Sequence, residues 1–83
     1  MNQAIQFLED EYLDSESQAV MFSALDSGRK LTCAISIADL SIHFGVGDAL
    51  TLFDQNRWDI EEMAEKAITS ELDDSDGRYW LSR

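Results

Sequence analysis

Proline is absent from this 83-residue chain, and glycine occurs only four times. No Pro-rich linker or low-complexity tract is therefore present. A single cysteine, Cys33, excludes an internal disulfide, and a small chain that folds without one suits a reducing compartment. One histidine, His43, beside one cysteine is far from a zinc pattern, so no metal and no cofactor is expected. No apolar run approaches the roughly 18–20 residues that a membrane helix needs. The opening Met1-Asn2-Gln3-Ala4 has neither a basic stretch nor a hydrophobic core, so a standard secretory signal is not expected. Together these features lead us to expect a cytoplasmic protein without a membrane attachment.

Basic residues are also scarce. Six Lys and Arg face 17 Asp and Glu, for a formal net charge of −11. Such a chain repels phosphate backbones, so direct binding to nucleic acid is not expected. The same field attracts basic partners and speeds their association, although its plainer role is to keep the protein soluble.

What the chain does have is 45% hydrophobic residues, enough for one compact core spanning residues 1–83 as a single domain. A domain this small buries only about 60% of the surface its unfolded chain exposes. Gln3 to Phe7 alternates, with Ile5 and Phe7 on one side, and predicts a first strand. The acidic stretch Glu9 to Ser17 predicts a loop, with Tyr12 and Leu13 folding back as a plug over the core. Gln18 to Leu25 predicts a strand with Val20, Phe22 and Ala24 on one face. Asp26-Ser27-Gly28 then supplies a tight turn. Arg29 to Ser36 is the partner strand, with Leu31, Cys33 and Ile35 sharing a face.

At Ser36 the period changes from two to about 3.6. Ile37, Leu40 and Phe44 mark a short helix that Ser36 and Asp39 cap and Gly45 ends. Asp48 is the expected N-cap of the next helix. Ala49, Leu50, Phe53, Ile60, Ala64, Ala67 and Ile68 lie within one stripe of about 100°. An unbroken helix from Ala49 to Glu71 would put Arg57 inside that stripe, at a cost unless it were paired or snorkelled. Asp59 followed by Glu62 resembles a second helix start. A bend or break is therefore expected around Asn56 to Asp59. Leu72 to Gly77 predicts an acidic turn, and Arg78 to Ser82 a last strand at a sheet edge or beside the first strand. The expected fold is α+β: a small antiparallel sheet of about four strands, in β-β-β-α-α-β order, with the helices packed on one face.

Leu31-Thr32-Cys33-Ala34-Ile35-Ser36, His43-Phe44-Gly45, Phe53-x-x-Asn56-Arg57-x-x-Ile60 and the closing Trp80-Leu81 occur here in a suggestive order and spacing. In these pieces, and over nearly its whole length, the chain resembles the small bacterial proteins grouped as domain of unknown function 1488. The resemblance implies an α+β fold and a cytoplasmic bacterial setting. It implies no activity.

Few residues point to chemistry. Cys33 reads as a buried, inert thiol with a raised pKa. His43 reads as a helix-end residue. Asp73-Asp74-Ser75-Asp76-Gly77 lacks the downstream glutamate of an EF-hand loop, and Gly45-Val46-Gly47 lacks the lysine and hydroxyl of a phosphate loop. Asn56-Arg57-Trp58 is the most informative cluster. Structurally it is a helix bend, with Arg57 paired to a carboxylate of the Glu9–Asp14 segment or of a helix neighbour. Functionally it is an exposed Arg–Trp patch that Trp80 could extend. Two readings stay open: a non-catalytic protein-interaction module using Asn56, Arg57, Trp58 and Trp80, and an anionic-ligand binder or enzyme using Arg57 and His43. The partner is unspecified, and a homodimer is compatible with either.

Overall fold

The computed structural model describes residues 5–71, 73 and 77–81. Among these residues, five strands and three helices follow one another as β1 (Ile5–Phe7), β2 (Tyr12–Asp14), β3 (Ala19–Asp26), β4 (Arg29–Ser36), α1 (Ile37–Phe44), α2 (Ala49–Gln55), α3 (Arg57–Thr69) and β5 (Arg78–Trp80). The architecture is α+β, as the sequence implies.

The β3–β4 hairpin is the spine. Its eight residue pairs run from Ala19↔Ser36 to Asp26↔Arg29. The two-residue turn holds Ser27 at φ 53° and Gly28 at φ 89°. Two positive φ values make a turn whose twist matches the strands, and Gly28 takes its conformation without steric cost. Val20, Phe22, Ala24, Cys33 and Ile35 face the helices and build the main core with Leu40, Phe53, Ile60 and Ala64. Phe22 and Phe53 meet edge-on, with ring centroids 5.0 Å apart.

The sheet differs from a four-stranded antiparallel one in two respects. The first is that β5 runs parallel to β4, pairing Thr32↔Arg78 through Ala34↔Trp80. Three helices lie between the two strands, and a crossover of that length returns the chain in its original direction. The strand order β1-β3-β4-β5 puts β5 at an edge. The second is β2, which lies within the acidic stretch expected to be a loop and pairs with the first half of β3. Tyr12 and Leu13 are exposed at 56% and 45%, so neither plugs the core. Backbone pairing with β3 holds this segment, and the Tyr12 and Leu13 side chains stay at the surface.

Together β1 and β2 form one interrupted strand along β3. Phe7 pairs with Ala24, yet Tyr12 pairs with Met21, so extra residues accumulate between them. This is a β-bulge, and polar groups stitch it shut. Leu8 donates its N–H to the Ser23 carbonyl at 3.0 Å, and the Ser23 N–H is accepted by Asp10 Oδ1 at 3.0 Å.

Both helix starts behave as expected. Ser36 Oγ accepts the Asp39 N–H at 3.0 Å, and Asp48 Oδ2 accepts the Thr51 N–H at 3.1 Å. Gly45, at φ 98°, ends α1 by donating its N–H to the Ser41 carbonyl. The expected break falls at Asn56. It rotates the stripe of α2 relative to that of α3, so Leu52 is buried and Leu50 is 38% exposed. The single-helix stripe had put Leu50 inside. Of the expected acidic turn, residues 72 and 74–76 lie outside the described residues, as do Gln3, Ala4 and Ser82 of the expected terminal strands.

Ile60 is fully buried and Ile42 is 76% exposed. Shortening each by one methylene separates core from surface. Ile60→Val should cost about 1 kcal/mol in urea unfolding, and Ile42→Val less than about 0.5 kcal/mol. Equal effects would contradict this placement of the core.

Candidate functional site

The break between α2 and α3 brings the informative cluster into one place. Asn56 closes α2: its N–H donates to the Leu52 and Phe53 carbonyls, and its Nδ2 donates to the Leu52 carbonyl at 2.9 Å. The side chain that could have capped α3 is thus spent on α2, and Asn56 makes no side-chain cap for α3.

Arg57 opens α3 and turns inward. Its Nη2 donates to Glu11 Oε2, from the segment just before β2. Glu61 lies 3.8 Å away one turn on, and Asp54 4.0 Å away one turn back. The guanidinium also sits 5.1 Å from the centre of the Phe53 ring. Pairing with the acidic stretch and with helix neighbours is the arrangement expected of an arginine on an apolar stripe. Both Arg57 and Glu11 are only about one-fifth exposed, with values of 20% and 21%. The hydrogen bond from Arg57 holds the Glu11 carboxyl below its usual range. Glu61 goes the other way. Burial pushes its carboxyl up, and Glu9 and Glu11 add to the push. Arg57 opposes this, but at 3.8 Å it makes no hydrogen bond that could offset the lost hydration.

With Arg57 directed inward, Trp58, the next residue on the helix, points out and is 87% exposed. It stands at one end of a groove of about 520 Å³ between β1 and α3. Ile5 and Phe7 form one wall, and Trp58, Asp59, Glu61, Glu62 and Glu65 the other. Asn56, Arg57 and His43 do not line this groove. Trp80 is also elsewhere. It packs half-buried against Ala19, Met21 and Ala34, on the sheet face away from the main core. Tyr79 faces the helices and is buried. The structure therefore does not join Trp80 and Trp58 into one patch.

Cys33 is fully buried. Burial pushes its thiol up to about 12, and the Asp10 carboxylate adds to the effect. It is a packing residue, as the sequence implies. His43 is half-buried, and its ring lies 5.8 Å from that of Phe44. Among the described residues no group of three or more His, Cys, Asp or Glu is placed to hold a metal. No helix there is long and apolar enough to cross a membrane.

The break, the inward arginine and the strand pattern invite comparison with known chains. The family model described as "Protein of unknown function (DUF1488)" matches residues 5–81. The chain belongs to this family. It is 46% identical over 85 residues to the uncharacterized protein YrdB of Escherichia coli strain K12, covering 98% of this chain and 99% of that one. The uncharacterized YrdB of Shigella flexneri is similar at 45%, with the same coverage. The crystal structure of a DUF1488 protein of unknown function from Shewanella loihica PV-4 superposes with a TM-score of 0.92. It is 36% identical and covers 100% of this chain and 97% of that one. The resemblance seen in the sequence is thus membership of the DUF1488 family, and these relatives carry no assigned activity.

Sequence reasoning found Trp58 but missed the groove beside it. The signal was available: Trp58, Glu61, Glu62 and Glu65 fall at i, i+3, i+4 and i+7, one face of a helix.

Glu11 titrates lower in the folded chain than in the unfolded one. The stabilisation it provides is therefore complete above the ordinary value of 4.5 and is lost as pH falls through the folded value. A double-mutant cycle with Glu11→Gln and Arg57→Gln should show coupling of about 1–2 kcal/mol at pH 7, fading below pH 4.5. A pH-independent coupling, or none, would contradict the pairing. Cys33 should resist thiol reagents in the native protein and react on unfolding in urea; prompt native labelling would place it at the surface.

Proposed function

We propose that this domain is a small non-catalytic protein-interaction module of the bacterial cytoplasm, with Trp58 at the centre of its contact surface. The exposure of Trp58 carries this reading. Single apolar residues at a surface are ordinary, but a tryptophan 87% in water beside a groove is not. Indole brings a large contact area and little rotamer entropy to an interface, and tryptophan is enriched among the residues that dominate binding. The side chain is mounted on a helix whose rotation Arg57 sets through Glu11, so its direction is fixed before a partner arrives. The relatives in Escherichia, Shigella and Shewanella support the bacterial setting. The disulfide-free composition, with its one buried thiol, supports the cytoplasm.

An anionic-ligand site built on Arg57 and His43 has less support. Three carboxylates already surround the guanidinium, and His43 does not share the groove with Trp58. Trp80 is better read as a cover for the second sheet face than as a contact residue.

The test is affinity capture of the tagged full chain from a bacterial lysate, with wild type and Trp58→Ala compared. The partner's recovery should fall by about tenfold or more, while the melting curve shifts little because Trp58 packs against so little of its own chain. Unchanged recovery would contradict the reading.

A further inference from the structure

The groove beside Trp58 has three properties that bear on what fills it. One wall is an edge strand. β1 pairs with β3, and among the described residues no strand pairs with its other side. Such an edge offers backbone N–H and C=O groups to an added strand. The opposite wall is acidic. Asp59, Glu61, Glu62 and Glu65 follow Trp58 along α3. These acids are strung along the helix and do not converge. Among the described residues none joins a group of three that could hold a metal ion. The third property is length. Trp58 to Glu65 spans about 10 Å of helix, the reach of three to four residues of extended chain.

We propose that the groove binds an extended basic segment of a partner protein, laid as an added strand along β1 with two alternate Lys or Arg side chains directed at the carboxylates of Glu61, Glu62 and Glu65. The assignment rests on the interaction-module reading above and names the partner's chemistry. An added strand projects every second side chain to the same face, so cations at alternate positions meet the helix. The acids spaced along α3 put carboxylates within the span of both cations, and the Trp58 indole offers its face to the one nearer the helix start. Glu61 is half-buried among acids, and a further cation there would add to the pull of Arg57, 3.8 Å away, against the burial and acidic neighbours that raise its carboxyl. A second copy of this chain is the wrong occupant: it would bring a net charge of −11 to an acid-lined groove. Nucleic acid is repelled on the same ground.

The probe is a fluorescent eight-residue peptide of alternating Lys and Thr, titrated with the full chain at low salt and followed by anisotropy. It should bind more tightly than a peptide of the same composition in Lys-Lys-Thr-Thr order. Methylating alternate backbone amides, on the edge that would pair, should weaken it by about tenfold. Glu62→Gln/Glu65→Gln, both exposed and so tolerated by the fold, should weaken it by about fivefold. Amide shifts on binding should cluster at Ile5–Phe7 and Trp58–Glu65. No binding, equal binding by the blocked-order or methylated peptides, indifference to the double variant, or shifts elsewhere would each overturn the proposal. If capture from lysate still depends on Trp58 in that case, the basic-segment assignment falls and the interaction module stands. If capture does not depend on Trp58 either, both fall.

Discussion

An arginine on the apolar stripe of a helix has to be paired, and the pairing of Arg57 with Glu11 organises much of this structure. The guanidinium keeps its charge at the edge of the core, so it needs a carboxylate within reach and a route out of the apolar layer. The chain meets both needs with two local irregularities. The helical segment breaks at Asn56, which lets Arg57 start a new helix instead of sitting in the middle of one. The first strand bulges between Phe7 and Tyr12, which brings Glu11 to the guanidinium. Each irregularity alone would leave backbone groups unmet. Asn56 meets those at the end of α2, and Asp10 meets the Ser23 N–H at the bulge.

The same pairing explains the surface. Successive residues on a helix point about 100° apart, so an inward Arg57 places Trp58 outward. Trp58 therefore stands in water because its neighbour is anchored. The carboxylates around it have a parallel logic. Glu11 is held in its charged form by a hydrogen bond from Arg57, while at Glu61, close to the same guanidinium but not hydrogen-bonded to it, burial outweighs the pull of Arg57. The result is an acidic helix face, a bare indole and a strand edge lying together in a chain with few bases of its own.

Much of this fold was legible in the sequence because local rules and tertiary packing agree. The hairpin turn at Ser27-Gly28, the Ser36 and Asp48 caps and the stop at Gly45 each act within a few residues, so spacing alone reveals them. The break at Asn56 was legible through a conflict, a charge in an apolar stripe. Long-range facts were harder to read. β2 carries no apolar alternation, because it is an edge segment held by backbone pairing to β3. The parallel course of β5 follows from the crossover, which the order of elements implies but no single residue announces. Leu50 was misplaced because a stripe drawn through a break loses its phase, and Leu52 took the buried position. At the candidate site, Trp58 was visible as an aromatic off the stripe. The groove was not, because its second wall comes from β1, some fifty residues earlier in the chain.

The measurement that tests this account most directly is the environment of Trp58 itself. Replacing the other tryptophan, Trp80→Phe, leaves Trp58 as the sole reporter. The account predicts emission at the position of fully hydrated indole and acrylamide quenching close to that of the unfolded chain, in a protein that still unfolds cooperatively. Blue-shifted, protected emission from the native protein would mean that Trp58 is packed inside and that Arg57 does not set the direction of α3.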